Sequence, residues 1–343
     1  MCLTLTVKGA SLKNRHFMES FEAHWGIPGG IAQTIVGSQL RNQKLPVPSR
    51  KRHELSFDGP GRAVLYEIEA KDKNLPVVLL AHGMGGCSES GYIKRISTKL
   101  WMRGYGVFLI NHLGCGPGMG LSPSLWNGGS SDDLGKMIEF AVQANSNKPL
   151  IPVGFSLSGN VLLKYLGEGR KIPENIIGAL AVNPPVDLRV ASDIISRKWS
   201  CKLFNQYYMR LIRNQALALV EKFPSAMSPL KNLKTIWDFD VSYTAPAGGF
   251  KDVDDYYERS SSKHYLKDIQ TPTAILTAED DPFVPGYLFD LLEKSEKVML
   301  YKPKNGGHMG YISRRNTPYG DRRWMDFAVQ EWVRELYGTK DNP

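Results

Sequence analysis

The chain is poor in the features that mark membrane, secreted or metal-binding proteins. No run of about eighteen apolar residues occurs, so no transmembrane helix is expected. Residues 1–8 lack a long apolar stretch and do not read as a secretory leader. Only four cysteines occur, Cys2, Cys87, Cys115 and Cys201, without a C-x-x-C pair or the Cys/His spacing of a zinc site. They read as free thiols of a reducing compartment, which makes the cytoplasm the expected location. No metal or organic cofactor is expected. No internal repeat or low-complexity tract is present, and 42% hydrophobic with 22% charged residues is not the composition of a disordered chain. The net charge of +9 is compatible with attraction to an anionic surface, including peripheral contact with a membrane. Yet the densest basic cluster, Arg50-Lys51-Arg52-His53, is short and opens a predicted strand, so it reads as a solvated strand entry and no nucleic-acid partner is expected.

What is present is a long alternation of strands and helices. The 343 residues suffice for one large α/β domain with an insertion. Residues 1–50 contain Pro28, Gly29, Gly30, Pro46 and Pro48, show little periodicity and read as an arm lying on the main domain. Strands are expected at 53–57 and 63–68, joined as an antiparallel hairpin by Asp58-Gly59-Pro60-Gly61. Further strands are expected at 76–81, 105–111, 150–155, 176–182, 273–277 and 297–301, several of them continuously apolar as in a sheet covered on both faces. Helices are expected at 92–102, 134–143, 161–166 and 323–337. Repeated β-α units imply a parallel sheet with right-handed crossovers. The rhythm breaks between Pro184 and about Ile269, where helical stretches such as 202–219 occur without a buried strand. The expected division is a core of 51–185 and 269–343 with a helical cap at 186–268 over the crevice where open α/β sheets bind ligands.

Chemistry concentrates at the ends of the expected strands. Gly154-Phe155-Ser156-Leu157-Ser158-Gly159 places a serine on a sharp strand-to-helix turn, where an exposed nucleophile sits in an α/β-hydrolase. Gly154 fits the tight turn, while Ser158 stands where a second glycine is usual. An activated serine needs a base and the base an orienting acid, which follow it in chain order as acid and then histidine. His308, flanked by glycines after the 297–301 strand, is the expected base. His82 and His112 also follow strands but precede the serine. Asp281, before Pro282, is the expected acid, with Asp280 and Glu279 as adjacent alternatives and Asp187 as a weaker one. The oxyanion hole is expected from the backbone N–H of Leu157 and of Met84, in the loop His82-Gly83-Met84-Gly85-Gly86. Trp199, Phe204, Tyr207, Tyr208, Met209 and Leu211 of the cap read either as an apolar acyl pocket or as packing of the cap onto the core.

These residues resemble the YheT-like branch of the α/β-hydrolase superfamily, related to medium-chain ester synthase/esterases and phospholipase-type α/β-hydrolase domain proteins. The resemblance runs through Gln33-Thr34-Ile35, His82-Gly83-Met84-Gly85-Gly86, Gly114-Cys115-Gly116, the serine turn and Asn183-Pro184-Pro185-Val186-Asp187-Leu188. It continues through Asp238-Phe239-Asp240, Thr244-Ala245-Pro246, Asp255-Tyr256-Tyr257, Asp280-Asp281-Pro282-Phe283 and Gly306-Gly307-His308-Met309-Gly310. It implies a Ser156-Asp281-His308 triad and hydrolysis of small-molecule esters with short- to medium-chain acyl groups, with acyl transfer to an alcohol in some members. The chain departs from the pattern at Ser158 and at His112, where members often carry arginine or phenylalanine. The expectation is therefore a carboxylic ester hydrolase acting through an acyl-enzyme. The alternatives are an acyltransferase, or a non-catalytic binding protein on the same fold.

Overall fold

Strands apolar at every position need cover on both faces, and the fold supplies it. The computed structural model describes residues 20–40, 44–57, 59–145 and 148–338. Residues 1–8, Cys2 and Asp58 of the expected turn lie outside the described residues. Eight strands form one sheet: β1 (Lys51–Ser56), β2 (Arg62–Ile68), β3 (Val77–Ala81), β4 (Gly106–Asn111), β5 (Leu150–Phe155), β6 (Ala179–Val182), β7 (Thr273–Leu276) and β8 (Val298–Tyr301). Their order is β1-β2-β4-β3-β5-β6-β7-β8. The expected hairpin forms, with Ser56 opposite Arg62, and β2 continues antiparallel onto β4. All pairings from β4 onward are parallel. The basic cluster at the start of β1 is answered locally: Arg50 pairs with Glu89, Arg52 with Glu54 and His53 with Glu67.

The helices are α1 (Gly29–Gln39), α2 (Gly91–Met102), α3 (Ser131–Ala144), α4 (Leu157–Gly167), α5 (Leu188–Arg197), α6 (Lys202–Lys222), α7 (Ile236–Phe239), α8 (Ala245–Ala247), α9 (Val253–Ser260) and α10 (Trp324–Tyr337). The period-2 alternation of the strands divides the core into two halves. Val77, Leu79 and Ala81 of β3 face Leu134, Met137 and Ile138 of α3 and Val161, Leu162 and Leu166 of α4. Val78 and Leu80 face Ile93, Ile96 and Leu100 of α2 and Phe327, Val329 and Val333 of α10. Helices α5 to α9 all lie between β6 and β7. The arm differs from the irregular segment expected: Gly29–Gln39 is a helix that buries Gly30, Gln33, Thr34 and Gly37. Weak apolar periodicity hid it, because its contacts are made by small and polar residues.

A buried ion network ties α2 to α10. Arg95 Nε and Nη2 lie 2.9 and 3.1 Å from the Asp326 carboxylate. Lys99 Nζ lies 2.8 Å from Asp326 and 2.6 Å from Asp321. Burial pushes the Asp326 pKa up, but Arg95 and Lys99 together outweigh burial and hold the carboxyl below its usual range. Asp326→Asn leaves two buried cations undercompensated and is expected to cost about 3–5 kcal/mol by urea denaturation at neutral pH. A carboxylate with a lowered folded-state pKa contributes above its unfolded pKa and loses that contribution as pH falls through the folded value. The gap to the parent protein is therefore expected to shrink in acid, and a gap that stays constant with pH would sink this assignment.

Candidate active site

The turn after β5 carries the serine. Ser156 adopts φ 51° and ψ −121°, a left-handed backbone rare outside glycine. Close packing imposes it. A Cβ on Gly154 would run into the Ser158 carbonyl, and one on Gly83 would stand 3.0 Å from Ser156 Cβ. The Ser156 N–H donates to Val182 O of β6 at 2.8 Å, which holds the turn against the neighbouring strand.

The expected partners converge on this serine. His308 Nε2 lies 2.8 Å from Ser156 Oγ, and His308 Nδ1 lies 2.7 Å from Asp281 Oδ2. The Asp281 side chain is fully buried. Its Oδ1 accepts the N–H groups of Phe283 and Val284 at 2.9 and 3.0 Å. Its Oδ2 also accepts from Asn183 Nδ2 at 2.7 Å. Asn183 is a site residue that sequence reasoning did not single out. Its amide also donates to Gly307 O at 3.1 Å, and its oxygen accepts the Met309 N–H at 3.3 Å. It thereby holds acid and base loops together from a left-handed conformation of its own, φ 47°. An asparagine directly after a buried strand was the available signal.

The alternative acids do other work. Asp280 Oδ1 accepts the Gly307 N–H at 2.8 Å and shapes the histidine loop. Asp187 caps α5 through the Val190 N–H and pairs with Lys263 at 2.8 Å. Glu279 donates its backbone N–H to Pro303 O at 2.9 Å and is exposed. Helix α1 supports the base: Thr34 Oγ1 accepts the His308 N–H at 2.8 Å, and Gln33 Oε1 accepts the Ile312 N–H at 2.7 Å.

Met84 and Leu157 line the same cavity as Ser156 and His308. Neither their N–H groups nor a competing acceptor for them appears in the hydrogen-bond network of the described residues. The glycines around Met84 serve close approach, since a Cβ on Gly85 would meet Leu211 of α6 at 2.8 Å.

The cavity, about 110 Å³, is lined mainly by residues other than those expected. Of the six cap residues named from composition, only Tyr208 lines it. Trp199 is 87% and Tyr207 49% exposed, because the helical turn points them outward. The apolar wall comes instead from Leu188 and Ile195 of α5, Ile212 of α6, Ile236 and Phe239 of α7, and Phe283. Part of the wall is polar. A π-helical turn, Asp240–Thr244, brings Asp240 to the cavity. The Tyr257 hydroxyl bridges Asp240 Oδ2 at 2.9 Å and Ser192 Oγ at 2.7 Å. Burial pushes the Asp240 pKa up to about 6, against the opposing hydrogen bonds from Thr244 and Tyr257.

The two departures from the expected pattern touch each other. His112 Nε2 lies 2.7 Å from Ser158 Oγ, and the Ser158 hydroxyl donates to His82 O. The His112 N–H donates to His82 Nε2 at 3.3 Å, and His82 Nδ1 donates to Gly83 O at 2.8 Å. These partners assign Nε2–H to His112 and Nδ1–H to His82. Burial pushes His82 down to about 4, while burial and His82 push His112 well below its ordinary value, so both rings are neutral at pH 7. The His112 ring stacks on Trp126 at 3.8 Å, and Trp126 lines the cavity. The loop that opens with His82 is thus bonded to the first turn of α4 through two neutral histidines. Ser158→Ala strands a buried His112 N–H and is expected to cost about 1–3 kcal/mol. Adding His112→Phe removes the stranded donor, so the double variant should lose less than the sum of the singles in a urea-denaturation cycle. Additive losses would show that the two groups are not coupled.

The comparisons with known proteins agree with this geometry. A family model described as the alpha/beta hydrolase fold matches residues 76–314. The human monoacylglycerol lipase ABHD2 is 27% identical over 333 residues, which cover 91% of this chain and 78% of that protein. The Escherichia coli putative esterase YheT is 26% identical over 307 residues, covering 88% and 89%. Among solved structures, 2,6-dihydroxy-pseudo-oxynicotine hydrolase superposes with a TM-score of 0.57 at 18% identity, covering 86% of this chain and 71% of that one. The Pyrococcus furiosus esterase Pf2001 gives 0.51 at 14% identity, covering 84% and 90%. With a family model spanning well over half its length and this sheet order, the chain belongs to the α/β-hydrolase fold family, among whose members YheT-like esterases are its relatives.

Proposed function

We propose that the protein hydrolyses carboxylic esters through an acyl-enzyme on Ser156, and the observation that carries this is the continuous hydrogen-bonded line from Ser156 Oγ through His308 to Asp281. In this reading Ser156 Oγ attacks the ester carbonyl carbon while its proton passes to His308 Nε2. The oxyanion that forms takes the Leu157 and Met84 N–H groups. Collapse of the tetrahedral intermediate breaks the carbon–oxygen bond, and the leaving alcohol takes the proton back from His308. Water then repeats the sequence on the acyl-enzyme and releases the acid. Asp281 keeps Nδ1–H of His308 in place and stabilises the imidazolium of each transition state. The hydrogen bonds that join Ser156, His308 and Asp281 argue against the non-catalytic binding reading. The segment 186–268 is read as a cap that closes the cavity over the sheet's carboxyl edge.

The lining supports short- to medium-chain acyl groups. Leu188, Ile195, Ile212 and Phe239 suit an alkyl chain, but Asp240, Ser192 and Tyr257 interrupt the apolar wall. A longer chain would dehydrate a carboxylate without replacing its hydrogen bonds, which is costly. Relatives named as monoacylglycerol lipases act on an ester of the same general kind. Cys87, Cys115 and Cys201 are free thiols, which supports a reducing compartment such as the cytoplasm.

Hydrolysis of p-nitrophenyl esters from acetyl to palmitoyl is expected to show a chain-length optimum below palmitoyl. Ser156→Ala should lose at least about a hundredfold in kcat. Equal weak rates from both proteins would remove Ser156 as nucleophile. The raised Asp240 pKa adds a second signature. Below about pH 6 the carboxyl is neutral and cheaper to dehydrate, and above it the group is charged. The ratio of kcat/KM for octanoyl over butyryl ester is therefore expected to rise as pH falls through that value, a ratio in which effects common to both substrates cancel. Asp240→Asn should flatten it, and a parent ratio independent of pH would show that the chain never meets Asp240.

A further inference from the structure

Helix α6 has two working faces, and only one belongs to the cavity. Tyr208, Ile212 and Gln215 point inward and line it. On the outer side Leu203, Tyr207, Arg210, Asn214 and Leu217 fall at the 3–4 residue spacing of a single helical stripe. Leu203 is 73%, Tyr207 49% and Leu217 52% exposed. Trp199, in the turn that leads into the helix, is 87% exposed. Exposed apolar side chains scattered singly need no explanation, but a tryptophan, a tyrosine and two leucines along one helix do.

The charges around the stripe indicate what covers it. Lys198, Lys202, Arg210 and Arg213 are all exposed. No aspartate or glutamate occurs from Lys198 to Val220. Among the described residues, none of these four cations has a carboxylate at ion-pair distance, whereas Arg189, Arg197 and Arg259 nearby in the same insertion are all paired. Arg210 instead lies 6.0 Å from the Tyr207 ring centroid. Tryptophan and tyrosine amid unpaired lysine and arginine match a lipid headgroup layer, where the rings sit at the interface and the cations meet phosphate. A nucleic-acid surface would use the cations but gives the exposed leucines no partner. Among the described residues no helix is long and apolar enough to cross a membrane, so α6 would lie on the surface rather than span it.

We propose that the outer face of α6, led by Trp199, docks the protein onto an anionic phospholipid surface. Docking there sets the helix that walls the cavity against the lipid from which an ester would be drawn. The lipid contact itself does not depend on the esterase reading, so the two can fail separately.

The test is co-sedimentation of the full chain with phosphatidylcholine vesicles, with and without phosphatidylserine. Binding is expected only with phosphatidylserine, and salt should weaken it. Arg210→Glu/Arg213→Glu should reduce partitioning by at least about twenty-fivefold, taking about fivefold per cation near an anionic surface. Trp199→Ser/Leu203→Ser should reduce it as well while leaving its salt dependence. Both double variants change exposed side chains outside the cavity, so turnover of a soluble p-nitrophenyl ester should stay at the parent level. Quenching of Trp199 fluorescence by brominated lipid, lost in Trp199→Phe, would place this residue in the bilayer interface. Absence of binding to the phosphatidylserine vesicles would overturn the proposal, as would parent-level binding by both double variants. Tighter binding to duplex DNA, lost in the arginine variant and kept in the Trp199/Leu203 variant, would reassign the cations to nucleic acid and overturn it too.

Discussion

The site depends on one strained residue. Ser156 is held at φ 51° and ψ −121°, a conformation costing of order 1–3 kcal/mol that persists only where the surroundings over-determine it. Three constraints do so here. The N–H of Ser156 is pinned to Val182 O, the chain on one side is packed through Gly154 against the Ser158 backbone, and Gly83 presses from the oxyanion loop. The first requires β5 beside β6 and the third β3 beside β5, in the register that sets Gly154 beside Ala181 and Ala81 beside Gly154. The sheet is therefore the clamp that aims the serine, and the apolar faces of α2, α3, α4 and α10 are what hold the sheet together.

The base is positioned by a different kind of constraint. His308 sits in a loop rich in glycine, which by itself would sample many conformations. Backbone hydrogen bonds from distant parts of the chain remove that freedom: Thr34 takes its N–H, Asn183 takes that of Met309, and Asp280 takes that of Gly307. Close packing adds to them, since a Cβ on Gly307 would strike Gly30 O of α1. Polar side chains on three separate segments thus replace the core packing that the loop lacks. Because Thr34 and Asn183 are buried, losing either leaves an unsatisfied partner and not merely a missing bond.

These two modes explain what could be read in the sequence. The strands were legible to within a few residues because burial on both faces makes them continuously apolar, and the hairpin was legible from its turn. The meeting of Ser156, His308 and Asp281 at one sheet edge was legible from strand ends and chain order. Asn183 and α1 were not, since their contribution is hydrogen bonding by small polar residues, which carries no periodic signal. Composition left the lining of the cavity open. An aromatic-rich segment implies a pocket, but the side of α6 on which each ring falls follows from its 100° per residue rotation against a core that sequence does not show. Hence Tyr208 faces in, and its neighbour Tyr207 faces out.

The pairing of Ser158 with His112 shows why departures from a motif are best judged together. Taken singly, a serine under the nucleophile adds a buried hydroxyl, and a histidine on β4's end adds a buried ring with two polar atoms. Each would be a liability alone. Together His112 Nε2 and the Ser158 hydroxyl satisfy one another at 2.7 Å, and the hydroxyl has a second partner in His82 O, while His112 Nδ1 has no hydrogen-bond partner among the described residues. Neutrality is essential to this arrangement: a protonated His112 would place a charge among fully buried groups beside His82, and burial drives both pKa values down accordingly. The pair therefore works as a polar brace between the 82–86 loop and the Ser156 turn.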